Sequence, residues 1–137
     1  MSDYSPPASF EDAIAAFNRG AYFEAAEMFE TASRAAGDGD DNDLKALIVA
    51  FNQIAAALHL RLERGGRQAS INLMSQAMLA LDELKPARGG VDVERLFAEL
   101  TAYTEELRAA PRGEHDGLKH RARIFLERRR APKITRR

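Results

Sequence analysis

The chain has 137 residues, no cysteine, no tryptophan and a formal net charge of −1. That length bounds one domain with one sizeable core, and the missing thiols exclude disulfide frameworks and thiolate metal sites. Leu and Ala dominate the apolar residues and β-branched residues are few, which favours helix over strand. Apolar runs such as Ile54 to Leu58 are too short to cross a bilayer. The polar N-terminus, Met1 to Pro7, has no basic-then-apolar signal pattern. A soluble cytoplasmic protein without membrane association is expected.

Near-neutrality conceals an asymmetry. From Leu118 to Arg137 the chain carries nine Lys/Arg and one acid, Glu127. The rest is correspondingly acidic, so an acidic body bears a basic tail.

Residues 1–8 are polar and Pro-bearing and read as a loose lead-in. A helical domain is expected over 9–112. Ser9 is the expected N-cap of a first helix running to about Arg19, and Gly20 supplies the positive φ of a tight helix–helix turn. The spacing of Tyr22, Ala25, Ala26, Phe29, Ala32 and Ala36 predicts a second helix. The stretch Gly37 to Asp43 is a loop by composition. It fails as a calcium loop, because its sixth position is Asp43 rather than Gly and its twelfth is Val49 rather than Glu.

Leu44, Leu47, Ile48, Phe51, Ile54, Ala55, Leu58 and Leu62 predict a long third helix, stopped by Gly65-Gly66. A fourth, from about Gln68 to Lys85, is apolar almost all round through Ile71, Leu73, Met74, Ala77, Met78, Leu79, Leu81 and Leu84. Such a helix is central in a bundle or buried against a partner, so a homodimer is expected. Pro86 and Gly89-Gly90 break the chain. Asp92 then caps a fifth helix with the stripe Val93, Leu96, Phe97, Leu100, Tyr103 and Leu107. In the tail, 113–137, one more helix over Leu118 to Arg129 would be anchored by Ile124, Phe125 and Leu126, and the end beyond Pro132 is extended. The fold class is all-α: a compact antiparallel bundle of about five helices, with no strand pattern.

Gly20-x-Tyr22-x-x-Ala25-x-x-x-Phe29-x-x-Ala32 resembles the second half of a tetratricopeptide-type repeat. A weak echo at Gly65, Met74 and Ala77 comes 45 residues later with no third copy, whereas repeats of that type recur at about 34 residues and need about three units. A broader resemblance runs from Phe10 to Leu84. Phe17-x-x-Gly20-x-Tyr22-Phe23-Glu24-Ala25-x-Glu27, then Gln53 to His59, then Gly65-Gly66 and an Ala/Leu-rich helix, is similar to a small all-helical family known as domain of unknown function 309. Pro132-Lys133-Ile134 resembles that family's C-terminal motif. The resemblance implies a His at Ala26 and a Trp at Ser33, both absent here, so any imidazole-dependent chemistry of the family is not carried over.

Glu27 and Glu30 share one helix face, and with His59 they form a minimal candidate set for a divalent cation or for hydrolase-like acid–base work. The structural alternative is that Glu30 pairs with Arg34 and that Glu24 complements the helix dipole. His115 and His120 lack metal-ligand spacing. Gly65-Gly66-Arg67 and Gly89-Gly90 lack a phosphate-loop context. No nucleophile motif and no Ser-His-Asp set is present, and no cofactor is expected. Arg121, Arg123, Arg128, Arg129, Arg130, Lys133, Arg136 and Arg137 can neutralise phosphates, which allows unspecific nucleic-acid binding; alternatively the tail folds back on the acidic body. A non-enzymatic helical interaction module is the leading expectation. A metal-binding or enzymatic role and a nucleic-acid-associated role are the alternatives.

Overall fold

The computed structural model describes residues 8–36, 42–110 and 117–136. Six helices form within them: α1 (Ala8–Asn18), α2 (Tyr22–Ala35), α3 (Asn42–Arg64), α4 (Gln68–Glu83), α5 (Val93–Ala109) and α6 (Leu118–Arg130). Two short strands, β1 (Ala87–Arg88) and β2 (Val91–Asp92), pair antiparallel between α4 and α5. The architecture is an all-α bundle.

The first turn follows from one glycine. Gly20 adopts φ +88°, its N–H donates to the Phe17 carbonyl (3.0 Å), and the Ala21 N–H donates to the Ala16 carbonyl (3.0 Å). That pair of bonds is a Schellman closure, which needs a left-handed residue at this position. The chain therefore reverses at once and lays α2 on α1. Helix α1 begins at Ala8, so Ser9 lies inside the helix rather than capping it.

Helix α3 packs against both α2 and α4 and is the axis of the fold. All eight apolar positions expected on it are buried. Phe10 stacks on Phe51 with ring centroids 5.9 Å apart, and Phe29 meets Phe51 edge-on at 5.4 Å, so three helices meet at one aromatic cluster. By length and composition alone, α3 would also pass as a membrane span, contrary to a reading of apolar runs. Half of that stretch is buried inside the bundle, and Arg61 is buried within it.

The break after α4 is a hairpin that the apolar pattern does not reveal. Gly89 and Gly90 take φ +56° and +74°, the paired positive angles of a type I′ turn. At Gly89 a Cβ would stand 3.0 Å from Leu44 Cδ1, so the turn also packs closely on α3. The Asp92 carboxylate then accepts from the Arg95 N–H (3.0 Å) and caps α5 as its sequence position predicts.

The basic tail is packed on the bundle. Helix α6 crosses the C-terminal half of α3, but Phe125 and Leu126 are exposed and do not anchor it. Its buried residue is Glu127. Residues 131–136 run back as an extended strap with Ala131, Pro132 and Ile134 buried. The Asn18 Nδ2 donates to the Ile134 carbonyl (2.8 Å), and the Ile134 N–H donates to Asn18 Oδ1 (2.9 Å). The Asp92 N–H donates to the Thr135 carbonyl (2.8 Å), and Val91 bridges Arg136. One extended segment thus ties the α1–α2 turn to the β-hairpin.

Candidate functional site

Concave regions between the helices collect chemistry-bearing side chains. The first lies between α2 and α3. Glu27, Glu30 and His59 line one concavity of about 320 Å³ together with Phe23, Asn52 and Leu60. The helical spacing therefore brings the three expected residues to one surface. They do not form a ligand set: among the described residues, no group of three or more His, Asp or Glu is arranged to hold a metal ion. Glu30 instead pairs with Arg34 at 2.5 Å, and Glu24 pairs with Arg19 at 3.2 Å. The His59 ring packs 5.2 Å from the Phe23 ring, and the Asn52 Nδ2 donates to the Ala26 carbonyl at 2.7 Å. Ala26 lines the same concavity.

The second region is a groove of about 320 Å³ between α4 and α5, lined by Met78, Leu79, Phe97 and Thr101, with Asp82 and Arg108 among its flanking charges. Helix α4 turns Ile71, Met74, Ala77 and Leu81 into the core. Leu79 is left 76% exposed, so the helix that reads as apolar all round keeps an apolar side facing out. Lys85 Nζ sits 3.5 Å above the Phe97 ring and pairs with Asp82 at 3.1 Å.

The third region joins the basic tail to the end of α3, and much of the tail's charge is matched there and along the body. Arg128 pairs with Glu63 (2.8 Å), Arg130 with Glu106 (2.9 Å) and Arg136 with Glu11. Lys133 Nζ donates to the Asn18 carbonyl (2.7 Å), and Arg136 Nη1 to the Gly89 carbonyl (2.8 Å). Arg123 is half-buried on α6, while Arg121 and Arg129 are exposed, Arg129 lying 5.9 Å from the Phe125 ring. Arg137 lies outside the described residues, as do the acidic loop's Asp38, Asp40 and Asp41 and the histidine His115. Helix α3 and helix α6 also frame a cleft of about 460 Å³ lined by Arg64, His120, Arg121 and Arg128.

Beneath α6 is a polar cluster that side-chain spacing does not announce. Arg61 Nε and Nη2 donate to the two Glu127 oxygens at 2.7 and 2.8 Å, with the arginine 4% and the glutamate 1% exposed. Arg61 also donates to the Gly65 carbonyl at 3.3 Å. The bidentate fork satisfies both carboxylate oxygens, which is what makes a buried pair tolerable. The Tyr103 hydroxyl is buried without a hydrogen-bond partner among the described residues. Burial, reinforced by the neighbouring Glu127 carboxylate, pushes its phenol well above the usual tyrosine range, while Arg61 opposes the shift. Burial likewise raises the Tyr22 phenol, with Arg128 opposing. A signal for this cluster does exist in the sequence: Arg61 lies one residue before Leu62 on the α3 stripe, and Glu127 is the lone acid in a basic run.

No family model matches the chain, and neither the curated proteins nor the solved structures contain a match to it.

Proposed function

We propose that this protein is a non-enzymatic helical interaction module that pairs with a second copy of itself through the outer side of α4 and α5. The observation that carries this reading is the groove holding Met78, Leu79 and Phe97, with Leu79 exposed beside it. An isolated apolar side chain needs no explanation, whereas one standing beside an apolar groove supplies both a knob and a hole. The occupant that fits is a second copy. Helix α4 and helix α5 follow one another through the β-hairpin, so Asp82, near the end of α4, and Arg108, near the end of α5, mark opposite ends of the groove. A two-fold axis across the groove would set Met78, Leu79 and Phe97 of one copy against the same residues of the other, which is the self-complementarity an isologous contact requires.

The test is light scattering on the eluting protein across a concentration series, with Leu79→Glu as the variant. The full chain is expected to run as a dimer at tens of micromolar and the variant as a monomer. Because Leu79 is exposed in the single chain, the variant's own unfolding free energy should move by no more than about 0.5 kcal/mol. A wild-type chain that stays monomeric throughout the series would sink the proposal.

A further inference from the structure

We infer that the cleft between the end of α3 and the start of α6 is a binding site for the phosphate group of a small phosphorylated molecule. The cleft measures about 460 Å³, within the range of small-ligand sites, and it is lined by Arg64 from α3 and by Arg121, Arg128 and the His120 imidazole from α6. Ile124 and Phe125 form an apolar wall beside them.

Not all of these side chains have the same task. Arg128 is tied to Glu63 at 2.8 Å and reaches the Leu62 carbonyl at 3.4 Å, so it closes the α3 terminus. Arg61 does the same one turn away, at the Gly65 carbonyl. Arg64 and Arg121 line the cleft with no carboxylate partner among the described residues. The His120 Nδ1 is shut off from solvent and also lacks a hydrogen-bond partner among them. The ring is packed toward Gly65, where a Cβ would meet His120 Nε2 at 3.5 Å.

The backbone adds to this field. His120 lies in the first turn of α6, whose N-cap, Gly117, offers no side-chain cap, while the Arg121 N–H already donates to the Gly117 carbonyl (3.1 Å). An uncapped helix start carries a partial positive charge and favours an anion. Two guanidinium groups and an imidazole line one cleft of ligand size close to that helix start, and Arg matches phosphate geometry bidentately. Glu63 is the single acid in the lining, which defines the sign of a decisive variant.

The experiment is titration calorimetry of the full-length chain with inorganic phosphate, with adenosine monophosphate and, separately, with a short single-stranded DNA. Saturable binding of phosphate or the nucleotide is expected, weakened roughly tenfold or more by Arg121→Gln and by Arg64→Gln, since each removes a charge-assisted bond from an exposed side chain. Glu63→Gln should tighten binding, an effect that damage to the fold cannot produce. Circular dichroism melts of the variants establish that each is folded. Absence of heat with phosphate and nucleotide at millimolar concentration overturns the inference. So does binding that is indifferent to Arg64 and Arg121. DNA binding with which the mononucleotide does not compete also overturns it, because that behaviour belongs to a diffuse charged surface and not to a cleft.

Discussion

The two ends of this chain are held to the bundle by different chemistry. At the N-terminal end, α1 and α2 are fixed to α3 by aromatic and small apolar side chains: Phe10, Phe29 and Phe51 meet, and Ala13, Ala25 and Ala32 let the backbones approach. At the C-terminal end, α6 and its strap bury Ala131 and Ile134 but add a set of polar ties: the buried Arg61–Glu127 fork, the Asn18–Ile134 pair and the ion pairs of Arg128, Arg130 and Arg136. Apolar contacts are non-directional and can be repacked. Polar contacts are worth having only when every partner is present, so the second attachment is the more specific and the more easily broken.

Single deletions on either side should be the most damaging changes. Phe51→Ala should cost about 3–5 kcal/mol by leaving a cavity, and Glu127→Ala a similar 3–5 kcal/mol by stranding the Arg61 charge, both read from urea unfolding. The comparison sharpens in the repair. Replacing the pair together, as Arg61→Met with Glu127→Leu, should recover most of the loss, because two desolvated charges leave at once. If the double variant is as unstable as Glu127→Ala, a stranded Arg61 charge is not what makes the single deletion costly.

A smaller effect is expected from Asn18→Ala. It removes both bonds to Ile134 and should cost about 1–3 kcal/mol. Hydrogen exchange should locate that loss in the strap and the β-hairpin rather than in the aromatic cluster. Uniform loss of protection would show that the strap is not a separate attachment.

The smallest and opposite effect belongs to Tyr103→Phe. Its hydroxyl is buried without a partner among the described residues, so removing it should leave stability unchanged or raise it by up to about 1 kcal/mol. The same hydroxyl makes the C-terminal attachment alkali-sensitive. Its folded pKa is raised above the unfolded value, so above about pH 10 the unfolded chain gives up a proton that the folded chain keeps. The stabilisation is complete below that pH and is lost as pH rises beyond it. Alkaline unfolding should therefore move to higher pH in Tyr103→Phe, and an unchanged midpoint would remove Tyr103 from the account.

The apolar periodicities of α2, α3 and α5 were legible because one face of each helix meets the core at every turn. The Gly20 reversal and the Asp92 cap were legible because each depends on a single residue type at a single position. The β-hairpin was not, since two-residue strands leave no alternation to read and their pairing rests on Gly89-Gly90 and on Leu44 beneath them. For the candidate site, the sequence placed Glu27, Glu30 and His59 on adjoining faces. Whether three side chains converge or merely share a concavity depends on distances between helices, which no spacing encodes.

Local chemistry by itself determined the all-α class, the turns and the apolar stripes, because these are set within a few residues by φ preferences, capping and helical period. Only the tertiary structure decided what became of the charges. Arg61 lies 66 positions from Glu127 and Asn18 116 from Ile134, and whether the basic run from Leu118 binds an external anion or folds back on the acidic body was open in the sequence. Charge acts through space and not along the chain, so its partners are assigned only when the fold has closed.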